Sequence, residues 1–167
     1  GRLQELATRD ELTRAHNRRH MNELMTVQIA QHRRSGAPLA LALIDLDHFK
    51  HINDRHGHAT GDEVLRRFSM LALGQLRASD LLARWGGEEF LVLMPDTSRE
   101  AALGAMARLQ RTLADPQAAA MPEGLVVSFS AGVVAVQAEE SPQAAVERAD
   151  QAMYRAKTAG RARSVAA

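Results

Sequence analysis

No cysteine occurs in the chain, and this absence excludes disulfide frameworks, cysteine-ligated zinc or iron–sulfur centres and thiol nucleophiles, while remaining compatible with a reducing cytoplasm. An excess of charge of either sign is also missing. Lys and Arg number 21 against 20 Asp and Glu, a formal net charge of +1, so no global field draws the chain onto nucleic acid or a membrane surface. Any phosphate chemistry has to come from local sites. Apolar runs of the roughly 18 residues needed to span a bilayer are absent, and residues 1–10 lack the basic start and apolar middle of a secretion signal. The segment is therefore expected to make no membrane contact. Internal repeats are absent, and the nearest thing to low complexity is the run of small residues at 118–120. Gly1, where a Met would stand, points to a processed or excised segment of a longer chain.

What is present is an ordinary globular composition: 167 residues, 46% apolar and 25% charged. A chain of this size buries about 70% of its unfolded surface, enough for one core without staples. Asn17 is placed to cap a helix carrying Met21, Leu24, Met25 and Ile29, which the Ser35-Gly36-Ala37-Pro38 break ends. A continuous apolar run, Leu39 to Ile44, fits a strand buried on both faces and stops at Asp45. Thr60 and Glu63 have capping-box spacing for a helix from about Gly61 to Arg77. Leu81–Trp85 and Phe90–Met94 flank Gly86-Gly87-Glu88-Glu89, a hairpin pattern if the glycines supply positive φ. Thr97 and Glu100 repeat the capping-box spacing before Leu103, Met106, Ala107 and Leu113. Leu125–Val136, interrupted by Gly132, reads as strands meeting in a bend or second hairpin. Ser141 and Pro142 open a last helix with Ala145, Val146, Ala149, Met153 and Ala156 on one face, ending near Gly160. The sum is an α/β domain with a mixed sheet.

The informative acids lie where the backbone turns. Asp45 and Asp47 follow the most buried strand, and Glu88 and Glu89 sit on the glycine hairpin. If the two strands are neighbours, these carboxylates converge at one end of the sheet and need a cation between them. Hard oxygen ligands without His or Cys suit Mg²⁺ or Mn²⁺. Taken singly, each acid is equally a solvated loop residue. Beyond Asp45, the stretch Asp45–Asp54 and the segment Gly57–Asp62 offer backbone N–H groups to an anion, with Lys50 as a point charge. Asn53 and Asp62 form a guanine-selective pair, because a carboxylate accepts from N1 and N2 while an amide serves O6. Against that stand a helix-dipole reading for Asp62 and a turn-holding one for Asn53. Lys157 and Arg161 close the last helix, where they either offset its dipole or meet a triphosphate.

Arg84-Trp85-Gly86-Gly87-Glu88-Glu89-Phe90 resembles the signature of GGDEF domains, the diguanylate cyclases, in its GGEEF spelling. The resemblance covers nearly the whole chain: Asp10-Glu11-Leu12-Thr13 with Asn17-Arg18-Arg19 at the start, Asp45–Lys50 and Asn53–Asp62, Ser128–Val133, and Ala149–Tyr154 with Lys157 and Gly160-Arg161 at the end. It departs from the family pattern at Arg14, where Gly is usual, and at Ala162, where Asn is common; neither position belongs to the expected chemistry, and Arg14 bears on the packing of the first loop.

The resemblance implies an α+β fold like that of nucleotidyl cyclases and polymerase palms, its mixed central sheet flanked by helices and its β-hairpin carrying the GGEEF turn. It implies condensation of two GTP into cyclic di-GMP with release of two pyrophosphates, in a cytoplasmic domain spanning 1–167 at the C-terminal end of a longer signalling protein. Asp45, Glu88 and the Leu46 carbonyl would hold Mg²⁺, with Mn²⁺ as an alternative; Glu88, Asp45 and Glu89 would be catalytic. Asn53 and Asp62 would hold guanine, with Leu65 walling its pocket. Lys50, Lys157, Arg161, the backbone around His48 and Phe49, the glycines Gly86 and Gly87, and Arg84 would serve the phosphates. Arg77-Ala78-Ser79-Asp80 is similar to the family's inhibitory RxxD site for product, where Arg addresses guanine O6 and N7 and Asp its N1 and N2 edge; Arg108 is a further candidate there. Because the product has twofold symmetry, two domains would have to face each other as a homodimer.

The rival readings are a catalytically silent GTP or cyclic di-GMP receptor, whose signature is generally damaged, and a template-directed nucleotidyltransferase, for which no basic stripe is visible. His16 and His20, spaced i, i+4, lack a third zinc ligand and read as surface histidines. Trp85 and Phe90 read as core. The Asp45-x-Asp47 pair lacks the later ligands of an EF-hand.

Overall fold

The structure is a computed structural model that describes Leu3 and residues 7–167; Gly1 lies outside the described residues. Helix α1 (Arg18–Ser35) begins where the Asn17 side chain accepts the His20 N–H and ends at Gly36, whose φ of 73° turns the chain out of the helix. Strand β1 (Leu39–Leu46) is buried along its whole length. It is followed by α2 (Phe49–His56), α3 (His58–Gln75), β2 (Leu81–Arg84), β3 (Glu89–Pro95), α4 (Arg99–Ala114), the short α5 (Pro116–Ala119), a 3₁₀ turn (Pro122–Gly124), β4 (Phe129–Ala135), α6 (Pro142–Thr158) and β5 (Ser164–Ala166). The sheet order is β2-β3-β1-β4-β5. All pairings are antiparallel except β4 with β5, so the sheet is mixed.

The two-residue repeat of β1 divides the core. Ala40, Ala42, Ile44 and Leu46 pack with Val64, Leu65 and Phe68 of α3 and Met106, Leu109 and Leu113 of α4. Phe68 sits against Phe90 at 4.8 Å and Phe129 at 5.8 Å between ring centroids. On the other face Leu39, Leu41 and Leu43 pack with Met21, Met25 and Ile29 of α1 and Ala145, Ala149 and Met153 of α6. Being covered on both faces explains why β1 carries no polar alternation.

Several boundaries differ from the sequence expectation. Asp45 and Leu46 lie inside β1 rather than after it. Residues 49–56 form a helix of their own, and α3 starts at His58 with Gly57 as a cap lacking a side chain; Thr60 bonds Glu123 instead of capping. Asp62 thus stands beyond the first turn of α3. Ser98, not Thr97, caps α4 by accepting the Ala101 N–H. Neither Gly86 nor Gly87 has positive φ, although the hairpin forms as expected.

The largest difference is at Gly132, which neither bends nor divides β4. The strand runs straight through it and pairs with Leu43. A Cβ there would lie 1.9 Å from the Ala149 carbonyl oxygen and 2.5 Å from the Met153 nitrogen of α6. The glycine marks a close helix-to-strand approach, not a turn.

Candidate active site

The antiparallel register sets Asp45 directly opposite Glu89 and, on its other side, opposite Ser130. The Leu46 N–H bonds the Glu88 carbonyl at 3.1 Å, so the GGEEF hairpin is stitched to the end of β1. Period-2 alternation turns Asp45 and Glu89 to the α1/α6 side of the sheet, where Lys157 of α6 reaches Asp45 with Nζ 2.7 Å from Oδ2. Asp45 is only 6% exposed. A carboxylate this dry needs a cation partner, and Lys157 supplies one.

Glu89 is half-buried, and its carboxyl pKa is raised above the ordinary glutamate value. Burial is the leading cause, followed by repulsion from Asp45, Asp150 and Glu88, with Lys157 pulling in the opposite direction. Asp150 precedes Lys157 by two helical turns and shares its face of α6. A cleft of about 610 Å³ opens here, lined by Arg18, Trp85, Glu89, Glu147 and Asp150 among others. Four acids, Asp45, Glu88, Glu89 and Asp150, against Lys157 leave this strand end short of positive charge.

That deficit fits a divalent cation. The donors at hand are the carboxylates of Asp45 and Glu88 and the Leu46 carbonyl, all hard oxygens. Among the described residues no cluster of three or more His, Cys, Asp or Glu forms a metal cage.

Asp47 does not converge with the others. It is 4% exposed and accepts from the Ser128 and Ser130 hydroxyls at 2.7 Å each and from the Ala162 N–H at 3.1 Å.

His48, with φ 57°, heads α2, and no side chain caps that helix N-terminus. Phe49 is buried beneath it and Lys50 is exposed. Asn53 packs on Gly61, its Oδ1 lying 1.8 Å from where a Cβ of residue 61 would stand; glycine is what lets α2 and α3 approach this closely. Leu65, at 1% exposure, sits in the core. Gly87 is exposed, with nothing within 4 Å of a Cβ position, so a ligand can approach its backbone.

Arg84 holds the turn itself. Its Nε and Nη2 donate to the Gly87 carbonyl at 3.2 and 2.8 Å, while Nη1 lies 3.4 Å from both oxygens of Asp10. Asp10 in turn accepts from the Thr13 N–H and hydroxyl. Sequence reasoning did not assign Asp10 or Asp150 a role at the site. Asp150 was detectable from its seven-residue spacing to Lys157, whereas Asp10 lies 74 positions from Arg84 and only the fold joins them.

Arg77, Asp80 and Arg108 share a separate groove of about 550 Å³ between α3, β3 and α4. Within it Arg77 donates to Asp80 (Nη2 to Oδ1, 3.2 Å) and to the Pro95 carbonyl (2.7 Å). The histidines differ from expectation: His16 and His20 are partly buried, with rings 5.1 Å apart, and the buried His16 Nδ1 has no hydrogen-bond partner. Burial, then Arg9 and His20, lowers the His16 pKa to about 4. Trp85 and Phe90 are core residues, Arg18 stacking 4.3 Å above the Trp85 ring.

A mixed sheet with paired acids at one strand end and an arginine-held glycine hairpin defines a palm-like α+β domain. The chain belongs to the GGDEF family: residues 7–163 match the family model described as "Diguanylate cyclase, GGDEF domain". It is 44% identical over 157 residues to the diguanylate cyclase DgcP of Pseudomonas aeruginosa, covering 94% of this chain and 23% of that protein. To the response regulator PleD of Caulobacter vibrioides it is 42% identical over 160 residues, covering 94% of this chain and 35% of that protein. The chain therefore spans well under half the length of these relatives. Among solved structures, the coiled coil and GGDEF domain of DgcB from Caulobacter crescentus in complex with c-di-GMP superposes with a TM-score of 0.91 at 28% identity, covering 99% of this chain and 88% of that one. The active GGEEF domain of a Vibrio cholerae diguanylate cyclase gives 0.83 at 31% identity, covering 90% and 96%.

Proposed function

We propose that this domain condenses two GTP molecules into cyclic di-GMP and two pyrophosphates, as one cyclase unit of a longer signalling protein. The observation that carries the reading is the strand-end constellation, Asp45 opposite Glu89 with Glu88 on the adjoining turn and Lys157 2.7 Å from Asp45. The family membership and the c-di-GMP bound to the related DgcB domain support it.

Asp45, Glu88 and the Leu46 carbonyl would hold Mg²⁺ or Mn²⁺, which when bound acidifies the ribose 3′-hydroxyl and neutralises charge on the phosphates. Asn53 and Asp62 orient the guanine. Lys50, Lys157 and Arg161 hold the triphosphate, and the open backbone at Gly87 admits it closely, with Gly86 packed against the Glu89 side chain. Arg84 keeps that turn in shape from behind. Glu89, with its raised pKa, is suited to accept the proton leaving the 3′-hydroxyl as its oxygen attacks the α-phosphate and pyrophosphate departs. One domain holding one GTP cannot present a hydroxyl to a second α-phosphate, so two domains face each other about a twofold axis. The Arg77–Asp80–Arg108 groove takes the product, its guanine edge competing for the internal Arg77–Asp80 contact.

Incubation with GTP and Mg²⁺, followed by mass spectrometry, tests the reading. Cyclic di-GMP is expected from the wild-type domain, and Glu88→Ala should lower its formation by two orders of magnitude or more, on the order of 3 kcal/mol of lost charge stabilisation. Absence of product from the dimerised wild type, with GTP still bound, would leave a receptor instead.

A further inference from the structure

Residues 160–162 run through an unfavourable conformation. Gly160 has φ 122°, Arg161 62° and Ala162 49°. Two successive residues with side chains in the left-handed region are strained by roughly 1–2 kcal/mol each, and such strain persists only where surrounding contacts over-determine it. Asn tolerates this region and Ala does not, so position 162 has no local easing of the strain.

The contacts that impose the conformation come from few places. The Arg161 N–H bonds the Ala156 carbonyl at 3.0 Å, tying the loop to the end of α6, and the Arg163 carbonyl accepts from Ala131, tying it to β4. Between these ties, the Ala162 N–H is accepted by Asp47 Oδ2. The carboxylate is itself immobilised, Ser128 donating to Oδ2 and Ser130 to Oδ1 at 2.7 Å. Two short charge-assisted bonds to hydroxyls at the start of β4, Ser128 just before it and Ser130 within it, and a third across to the loop make a rigid bracket. Asp47 sits two residues past Asp45 yet has both oxygens engaged in this way.

We propose that Asp47 is the positioning residue of the triphosphate loop: it neither holds metal nor touches substrate, but clamps residues 160–162 so that Arg161 is presented beside Lys157. The inference rests on the reading of Arg161 as a triphosphate ligand. The carboxylate supplies the constraint that an Asn at position 162 would partly render unnecessary, and it accounts for the second acid of the Asp45-x-Asp47 pair.

The test is a double-mutant cycle on the whole domain, comparing wild type, Asp47→Ala, Arg161→Ala and the pair. Affinity for a GTP analogue carrying a methylene between its α- and β-phosphates is read by calorimetry with Mg²⁺, and folding by far-ultraviolet circular dichroism. Asp47→Ala is expected to weaken binding about tenfold in the wild-type background and less than about twofold once Arg161 is gone, because coupled residues are non-additive. Equal losses in both backgrounds, or unchanged affinity in folded Asp47→Ala while Arg161→Ala binds weakly, would overturn the proposal. Should Asp47→Ala fail to fold, Asp47→Asn, which keeps the volume and one acceptor oxygen, is judged by the same coupling. Wild-type affinity in Arg161→Ala would instead remove the phosphate-ligand reading on which the proposal stands, a result visible in that variant alone.

Discussion

At the scale of single residues, the character of an ionisable group here follows from what its neighbours donate. Asp45 and Asp47 are equally buried, but one faces an ammonium and other carboxylates while the other faces two hydroxyls and an amide. The first is paired with one cation among several acids, and the second has both oxygens occupied by hydrogen-bond donors. His16 illustrates the reverse case, a base kept neutral by burial and by the nearby Arg9 and His20. Its backbone matters as well, since His16 N–H bonds Leu82 and its carbonyl accepts from Arg84, joining the opening loop to β2. With a pKa near 4 folded and 6.5 unfolded, the unfolded chain binds the extra proton between those values. Stability is therefore full above pH 6.5 and declines as pH falls toward 4. Melting temperatures measured across this window are expected to fall less steeply for His16→Phe than for wild type. Parallel slopes for the two proteins would assign the acid sensitivity elsewhere.

Elements are positioned by contacts as close as those of side chains, and β4 against α6 is the tightest. The missing Cβ of Gly132 is the space into which the α6 backbone fits. Gly132→Ala forces the helix away from the strand and with it Lys157 from Asp45. A loss of about 3 kcal/mol is expected, from overpacking against backbone that cannot rotate aside, which for a chain of this size lowers the melting temperature by roughly 6–12 °C. A melting temperature within a degree of wild type would show that the helix yields freely. The same glycine explains a misreading. From sequence, Gly between apolar runs carries the same mark whether it bends a strand or admits a helix, and only the third dimension separates the two. Apolar periodicity and caps such as Asn17 and Ser141 are local, so α1, β1, the hairpin and α6 were legible. Helix α2 was not, because its eight residues contain one buried apolar side chain, Phe49. At the site, the meeting of Asp45 with the Glu88–Glu89 turn at one strand end was legible as a pattern, while Lys157 on Asp45, Asp10 on Arg84 and Asp47 on the Ala162 N–H depend on long-range contacts that leave no local trace.

For the molecule as a whole, the governing quantity is geometric. The Asp45–Glu89 strand end, the α2–α3 junction with Asn53 and Asp62, and the end of α6 with Lys157 all belong to one domain, and each has a single copy of its parts. On the proposed reaction, one nucleotide's ribose and its own α-phosphate cannot be joined to give a twofold-symmetric dinucleotide, so turnover would require a second copy presenting a second nucleotide. If the domains associate weakly, the concentration of dimer at low protein grows with the square of total protein. Initial rates of pyrophosphate release at saturating GTP should then rise with a log–log slope near 2 at the lowest concentrations, falling to 1 once dimers saturate. Fusion to a strong parallel coiled coil should bring the slope to 1 throughout and raise activity most where the free domain is most dilute. A slope of 1 for a protein that sedimentation shows to be monomeric across the same range would mean that one domain suffices, and the face-to-face arrangement would have to be abandoned.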